Sequence, residues 1–296
     1  MAQAFDMDGL QQLRARHRRP ASRFLDIGGV DVHLIDEGGG GKPLGGQPVI
    51  LLLSAQWLAA TAYDRFAARL CGTARVVRLD MPGHGLTGPF ADGDYSAHAY
   101  ARLVSAVIAG LGLARVVLVG HSHSGIAAAL AALDPQNRVT GLVLATSSGM
   151  PRAATAGSSR AGAMAGEVDS AHDLAWYREK LDALLPSPQP AAWREQLDAE
   201  TLACNELPGR SAETQARAAA LDTSVLPAAL VRLTLPGLVL WSERSTYLPP
   251  ETGDRIVRLW PAAGKCHVLP GSGHLLVADA QDEVASAIAA FLGHQS

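Results

Sequence analysis

The sequence around Ser122 is a short apolar β-strand pattern that breaks at Gly120 and continues as an alanine-rich helix pattern. It reads Val116-Val-Leu-Val-Gly-His-Ser-His-Ser-Gly-Ile-Ala-Ala-Ala-Leu130. A serine on so sharp a strand-to-helix turn is held out of the sheet at a helix N-terminus, where unpaired backbone amides meet a developing negative charge. The pattern predicts a nucleophile elbow with Ser122 as the reacting residue.

The elbow departs from the usual Gly-x-Ser-x-Gly in one place. Ser124 occupies the position where a second glycine normally lets the helix backbone approach the strand. Serine is small enough to fit that position. The competing interpretation is an ordinary strand-loop-helix connection with polar surface residues, which the flanking periodicity disfavours.

The segments before and after the elbow show the alternating strand and helix patterns of a parallel α/β protein. Short β-branched runs alternate with amphipathic helical stretches, which indicates parallel strands joined by crossover helices. The main landmarks are Val49–Leu53, Arg75–Gly88 with its Asp-Met-Pro-Gly-His-Gly, Leu142–Ala145, Leu238–Trp241 and Gly271–His274. In this order they resemble the α/β-hydrolase family from about Phe24 to Leu292. The resemblance implies a mostly parallel, doubly wound sheet with its active site at the carboxyl ends of the strands.

The domain organisation expected is one core interrupted once. Residues 1–22 are predicted to form a frayed N-terminal extension, and residues 23–148 and 236–296 the α/β-hydrolase core, which closes with a helix from Asp282 to Leu292. Between them, residues 149–235 lose the strand signal and show helical stretches such as Leu174–Leu185. This segment is predicted to be a helical lid, inserted after the sixth strand and covering the strand ends.

The composition and charge of the chain limit the classes of partner that it is expected to bind. A chain of 296 residues, 48% hydrophobic, suffices for one large core with a modest insertion. The formal charge of −3 and the pI near 6.4 argue against nucleic acid or an anionic membrane surface as a partner. The single basic run, Arg14–Arg19, is predicted to be solvated. The partner expected is therefore a small-molecule substrate, and the sequence does not indicate the oligomeric state.

The cysteines and the absence of long apolar runs bear on compartment and cofactor. Cys71, Cys204 and Cys266 are widely spaced, odd in number and without Cys-x-x-Cys geometry, so neither a disulfide framework nor a zinc site is suggested. We expect a cytoplasmic protein without metal or cofactor. No apolar run reaches the length of a membrane span, and none follows Met1 as in an export signal.

His274 and Ser245 complete the predicted catalytic group. His274 follows a Gly/Pro-rich turn, and its place after Ser122 in the chain matches the order of the α/β-hydrolases, which implies a general base. The family usually places an acid after the seventh strand, where this chain has Trp241-Ser-Glu-Arg-Ser245. Ser245 therefore stands at the acid position. Glu243 is expected to point elsewhere and to pair with an arginine.

The loop after the third strand supplies the predicted oxyanion and substrate contacts. It reads Leu53-Ser-Ala-Gln-Trp57 instead of the family's His-Gly, so the amides of Gln56 and His123 are the candidate oxyanion donors. Ser54, Trp57 and His121 are the candidate substrate-binding residues. For Trp57, lining the pocket and packing beneath the lid are equally compatible with the sequence.

These departures leave two enzymatic hypotheses and one non-enzymatic one. The first is a serine hydrolase of a small to medium apolar ester, thioester or related carbonyl compound. The second is a cofactor-independent oxygenase, lyase or cyclase with His274 as base and Ser122 and His123 positioning the substrate, because the His-Ser-His elbow resembles that of cofactor-independent ring-cleaving dioxygenases. The third is a binding protein on a decayed enzyme fold. A carboxylate at the far nitrogen of His274 favours the first hypothesis and a hydroxyl favours the second.

Overall fold

The fold is built on one eight-stranded sheet, seen in a computed structural model that describes residues 4–38, 48–151, 174–245 and 247–294. The strand order is β1-β2-β4-β3-β5-β6-β7-β8. β2 is antiparallel to both of its neighbours, β1 and β4. The six strands β3 to β8 are parallel to one another. The strands are β1 Ser22–Ile27, β2 Val30–Gly38, β3 Val49–Leu53, β4 Arg75–Leu79, β5 Val116–His121, β6 Val139–Ala145, β7 Gly237–Ser242 and β8 Cys266–Leu269.

The central strands are buried on both faces, as their apolar runs predict. Every residue of β3 and β5 is buried, which is typical of parallel strands covered by helices on both sides. The predicted strand Val49–Leu53 is observed with the same bounds, and the predicted Leu142–Ala145 forms the second half of β6. The mostly parallel, doubly wound sheet expected from the sequence is confirmed.

Helices cover both faces of the sheet. They are α1 Met7–His17, α2 Asp64–Leu70, α3 Ala97–Gly110, α4 Ser124–Ala132, α5 Leu174–Leu184, α6 Ala191–Asn205, α7 Arg210–Ala219, α8 Val225–Leu230, α9 Glu251–Leu259, α10 Leu276–Asp279 and α11 Gln281–Gly293. One apolar cluster packs α3 and α4 against one face, and a second packs α2 and α11 against the other. Within the described ranges, no helix has the length and apolar character needed to cross a bilayer.

The N-terminal segment differs from the expectation of a frayed, solvated extension. α1 begins after Asp6, whose carboxylate caps the helix by accepting from the amide of Gly9. Leu10 and Leu13 are buried in a third apolar cluster. Arg14 is also buried, and it donates to the carboxylate of Asp31 at 3.0 Å. The prediction that this basic run is solvated is therefore wrong for Arg14, because an amphipathic helix docks it against the core.

The helices α5 to α8 occupy the chain between β6 and β7, where the sequence predicts helical structure. The tandem aromatics Trp176 and Tyr177 of α5 both contact the ring of Trp57 edge-on. That these helices act as a lid stays a prediction. Residues 39–47 and residues 152–173, the latter in the predicted lid, lie outside the described residues.

Candidate active site

Ser122 sits on a strained turn between β5 and α4. Its φ of 55° is in the left-handed region, which residues other than glycine rarely adopt and which concentrates at functional sites. The turn is fixed from both sides: the amide of Ser122 donates to the carbonyl of Ala145 at 3.0 Å, and its carbonyl accepts from Ser148 at 3.0 Å. The strain places a buried serine hydroxyl at the carboxyl edge of the sheet.

The close approach between strand and helix at the elbow is made by two glycines. A Cβ on Gly120 would lie 2.5 Å from the Cα of Gly125, and a Cβ on Gly125 would lie 2.8 Å from the Cβ of Ser147. Ser124, at the usual glycine position, has its hydroxyl 3.0 Å from the carbonyl of Leu53 on β3. The serine thus ties the elbow to the next strand, and Gly125 provides the clearance.

His274 meets Ser122 directly. Its Nε2 lies 2.9 Å from the Ser122 Oγ, a distance at which the hydroxyl donates to a neutral imidazole. The preceding turn is braced by Asp279, whose carboxylate accepts from the amide of Gly273 at 2.7 Å. The amide of the next residue, Leu275, donates to the carbonyl of Leu184 on α5 at 3.2 Å. The histidine loop is therefore fixed by α10 on one side and α5 on the other.

The hydroxyl of Ser245 takes the place of the acid. Its Oγ lies 3.1 Å from Nδ1 of His274 and accepts from the amide of Leu248 at 3.2 Å. Because Nε2 accepts from Ser122, the ring proton is on Nδ1 and is donated to Ser245. Burial lowers the pKa of His274 to about 4. The arrangement fixes the tautomer and supplies no negative charge to the imidazole.

Glu243, the nearest carboxylate in the sequence, does not replace the acid. Its Oε2 accepts from the amide of Gly271 at 2.8 Å at the surface. The expectation that it points away from the histidine fits this contact. The expected arginine pair is wrong for the described residues, because no arginine nitrogen among them lies within 4.0 Å of the Glu243 carboxylate.

His121 is enclosed beneath His274. The ring is fully buried, and its two nitrogens each lie 3.4 Å from an oxygen, one the Tyr63 hydroxyl and the other the carbonyl of His274. Burial lowers the pKa of His121 to about 3. The ring offers no free surface in this conformation, and that His121 binds substrate stays a prediction.

The loop after β3 lies beside the elbow as predicted from strand order. Trp57 is buried with φ 70°, and its carbonyl accepts from the side chain of Asn205 on α6 at 3.4 Å. Of the two roles open for Trp57, packing against the inserted helices is the one its contacts support. Ser54 is buried and its Oγ accepts from the amide of Met81 at 3.2 Å. Gln56 is partly exposed.

One group near the site was not predicted from the sequence. Arg217 of α7 is buried and reaches the side chains of His84 and Gln56. His123 is partly exposed, and enclosure together with the positive charge of Arg217 lowers its pKa to about 3. No motif marks Arg217, because Arg217 lies 95 positions after Ser122 and its distance from the site is set by tertiary packing alone.

Comparisons with known proteins agree with this architecture. A curated relative, the sn-1-specific diacylglycerol lipase ABHD11 of Mus musculus, is 27% identical over 253 residues, covering 83% of this chain and 81% of the relative. The meta-cleavage product hydrolase CumD of Pseudomonas fluorescens IP01 superposes with a TM-score of 0.76 at 20% identity, covering 93% of this chain and 98% of that one. An esterase from Exiguobacterium antarcticum superposes with a TM-score of 0.74 at 20% identity, covering 91% and 98%.

The two structural likenesses show a shared fold, and the family assignment has a separate basis. The family model described as the alpha/beta hydrolase family matches residues 46–287, a range that contains strands β3 to β8 and the elbow. By this match and by its sheet order, the chain belongs to the alpha/beta hydrolase family.

Proposed function

We propose that the protein is a serine hydrolase in which Ser122 is the nucleophile and His274 the general base. The observation that carries the proposal is the 2.9 Å contact between Ser122 Oγ and His274 Nε2 on a strained elbow. A nucleophile within hydrogen-bond distance of a base that a third group orients is the signature of covalent acyl transfer. Membership of a hydrolase family and a lipase relative support the same chemistry.

The reaction follows from these positions. His274 takes the Ser122 proton as Oγ attacks the carbonyl carbon, and the oxyanion is held by the backbone amides of Gln56 and His123. The imidazolium then gives its proton to the leaving group, which departs and leaves the acyl group on Ser122. A water activated by the same histidine releases the acid and restores the serine.

Of the two roles of a triad acid, orienting the histidine and stabilising its positive charge, Ser245 fills only the first. By accepting from Nδ1 it holds the ring and its tautomer, and its second partner, the amide of Leu248, holds the serine. It leaves the imidazolium without a counter-charge that would offset the burial, which lowers the pKa of His274 to about 4. The enzyme we propose therefore has a base that is neutral at pH 7 and a transition state less stabilised than in a triad with a carboxylate.

The proposed substrate is a small to medium carboxylic ester, thioester or related carbonyl compound. The cavity beside the elbow is lined by apolar residues such as Met81 and Ile126 and by polar ones such as Ser54 and Tyr100. Walls that combine apolar surface with a small number of polar groups are typical of pockets for such compounds. The diacylglycerol lipase and the esterase among the similar proteins act, by their names, on carboxylic esters.

Covalent labelling tests this function. The wild-type protein is incubated with a fluorophosphonate probe, and intact mass is measured alongside the Ser122→Ala variant and a Ser286→Ala control on the exposed face of α11. We expect one adduct on wild type and on the control, and none on Ser122→Ala. Adduct formation on Ser122→Ala, or an ester turned over by that variant at the wild-type rate, would overturn the assignment of the nucleophile.

A second candidate has one specific observation in its favour. The group at Nδ1 is the Ser245 hydroxyl, which is the arrangement that favours cofactor-independent, non-hydrolytic chemistry over a full triad. In that reaction His274 removes a proton from an acidic substrate, and Ser122 and His123 position it by hydrogen bonds. Loss of only about tenfold on Ser122→Ala, or about 1.4 kcal/mol of transition-state stabilisation, would indicate this positioning role.

A further inference from the structure

Arg217 of α7 is a buried cation beside residues 54–57 after β3, the segment that we call the oxyanion loop. Its side chain is 2% exposed. Nη1 donates to Nε2 of His84 at 3.1 Å, and Nη2 lies 3.3 Å from Oε1 of Gln56 when that amide oxygen faces the guanidinium. Both partners are neutral groups.

Arg217 forms no direct ion pair with a carboxylate among the described residues, although its charge interacts with that of Glu213 on the same helix. Among the described residues, no carboxylate oxygen lies within 4.0 Å of its guanidinium. Glu213, one turn earlier on α7, already accepts from Arg210 at 3.0 Å and from the hydroxyl of Tyr95. Two arginines thus share one glutamate, and this buried cluster carries an excess positive charge.

An unpaired buried cation is costly, so its retention calls for a reason. Removing a guanidinium from water without a counter-ion costs several kcal/mol. The excess charge is felt by its neighbours: burial and the positive charge of Arg217 both lower the pKa of His84 and of His123. A bound anion would remove this cost, and arginine is the side chain best shaped to bind a carboxylate through two parallel hydrogen bonds.

His84 gives a second, independent indication of a ligand. Because its Nε2 accepts from Arg217, its ring proton is on Nδ1. Nδ1 is buried and has no hydrogen-bond partner in the described residues. The ring of His84 lines a small cavity together with Ser54, Tyr100 and His123. A buried donor without an acceptor, in a cavity that His123 and Ser124 of the elbow also line, indicates that an acceptor is supplied from outside the chain.

The position of Arg217 indicates which end of a substrate carries the acceptor. His274, which protonates the leaving group, contacts Ser122, Ser245 and His121. Arg217 instead contacts the oxyanion loop through Gln56, on the side of the elbow where His123 lies. The acyl group stays attached to Ser122 while the leaving group departs past the histidine. The acyl portion is therefore the part directed toward the guanidinium.

We propose that Arg217 and His84 bind a carboxylate on the acyl group, so that the substrates are monoesters or thioesters of dicarboxylic acids. This inference rests on the proposed hydrolytic function. Arg217 is then a specificity residue. The competing explanation is that Arg217 only fastens α7 to the core, in which case its loss affects charged and neutral substrates alike.

The test compares matched substrates across matched variants. 4-Nitrophenyl monoesters of succinic, glutaric and adipic acid are each paired with the uncharged, methyl-terminated ester of the same chain length, and the rate with Ser122→Ala is subtracted as background. Wild type, Arg217→Gln, Arg217→Lys and the exposed-site control Arg232→Gln are assayed. For at least one chain length, we expect Arg217→Gln to lower the charged-to-neutral ratio of kcat/KM by about 10- to 100-fold. Arg217→Lys should retain part of the ratio and the control all of it. An equal loss on both substrates, or no loss, would overturn the proposal.

A binding measurement separates this proposal from the proposed function. If wild type hydrolyses neither ester, the hydrolytic function fails, and binding of free glutarate to the Ser122→Ala variant is measured by calorimetry. Binding that disappears in Ser122→Ala/Arg217→Gln and persists in Ser122→Ala/Arg232→Gln supports the anion site without the hydrolytic reaction. No binding to Ser122→Ala, or binding that survives Arg217→Gln, overturns it.

Discussion

Replacing Ser245 by aspartate changes the one position at which this site departs most from a serine triad. The Ser245 hydroxyl lies 3.1 Å from Nδ1 of His274, so Ser245→Asp puts a carboxylate within hydrogen-bond distance of the ring. The amide of Leu248, which now donates to Ser245, remains available to one carboxylate oxygen. The substitution adds a charge to an existing contact and leaves the tautomer unchanged.

The magnitude follows from Coulomb's law and the burial of the site. Two unit charges about 4 Å apart interact by about 4 kcal/mol at an effective dielectric constant near 20. Desolvation of the new carboxylate offsets part of this, since His274 is buried. If a net 1.4 kcal/mol or more of imidazolium stabilisation remains, kcat/KM for an ester rises about tenfold or more. The same interaction raises the pKa of His274 from about 4.

The assay is the pH dependence of kcat/KM for a neutral 4-nitrophenyl ester. A base is active in its unprotonated form, so the acidic limb lies near the pKa of His274, which is about 4 in the wild type. We expect Ser245→Asp to raise the plateau and to move this limb to higher pH. Ser245→Asn, of similar shape but uncharged, is the matched control and should do neither.

The outcomes are distinct for the two proposed chemistries. If catalysis is non-hydrolytic, the carboxylate changes the strength of His274 as a base and lowers the native activity while the ester assay gains nothing. An unchanged rate together with an unchanged acidic limb would refute the reasoning itself, because Ser245 would then not contact His274 in the working enzyme.

Three further predictions concern the scaffold. Gly125→Ala should destabilise the fold by about 1–3 kcal/mol, because the new Cβ would lie 2.8 Å from the Cβ of Ser147. Gly72→Ala, whose Cβ meets nothing within 4 Å, is the control and should be near neutral. Urea denaturation measures both variants, and equal stabilities would contradict the close packing at the elbow. His121, His123 and His274 have pKa values lowered to about 3, 3 and 4, whereas a histidine in the unfolded chain titrates near 6.5, so the unfolded chain binds more protons and stability falls as the pH falls. These three histidines contribute a loss of about 4 kcal/mol of unfolding free energy between pH 7.5 and 5.5, and a total loss under about 1 kcal/mol would show that these rings are protonated in the folded state. Limited proteolysis should cut first in residues 153–159, which lie outside the described residues and whose Ala/Gly/Ser composition predicts little packing; first cuts within Val116–Leu130 would contradict the architecture.

The sequence alone was sufficient for the sheet and the elbow because both depend on local patterns. Val49–Leu53 is apolar throughout, as a strand covered on both faces must be. The elbow combines that signal with a glycine, a serine and a helix-forming run inside fifteen residues. Strand order in a parallel sheet then brings the ends of β3 and β5, with the loops that follow them, to one edge.

Local patterns were insufficient where a long-range contact decides the outcome. Arg14 reads as part of a basic tail, and its burial depends on apolar partners from α6 and from the loop after β4. His121 reads as a polar neighbour of Ser122, and its enclosure depends on Tyr63 and on the backbone of the distant His274. In each case the residue's own neighbours in the chain are compatible with exposure.

The chemistry of the site divides in the same way. That a serine stands at the acid position is a property of the sequence, and the sequence determined it. That its hydroxyl lies against the histidine, and that the guanidinium of Arg217 lies beside the loop after β3 without a direct ion pair, was decided by the packing of α7 and the histidine loop on the sheet edge. Side-chain charge and burial are set by groups remote in the chain, so their energetics appear only when the tertiary structure brings those groups together.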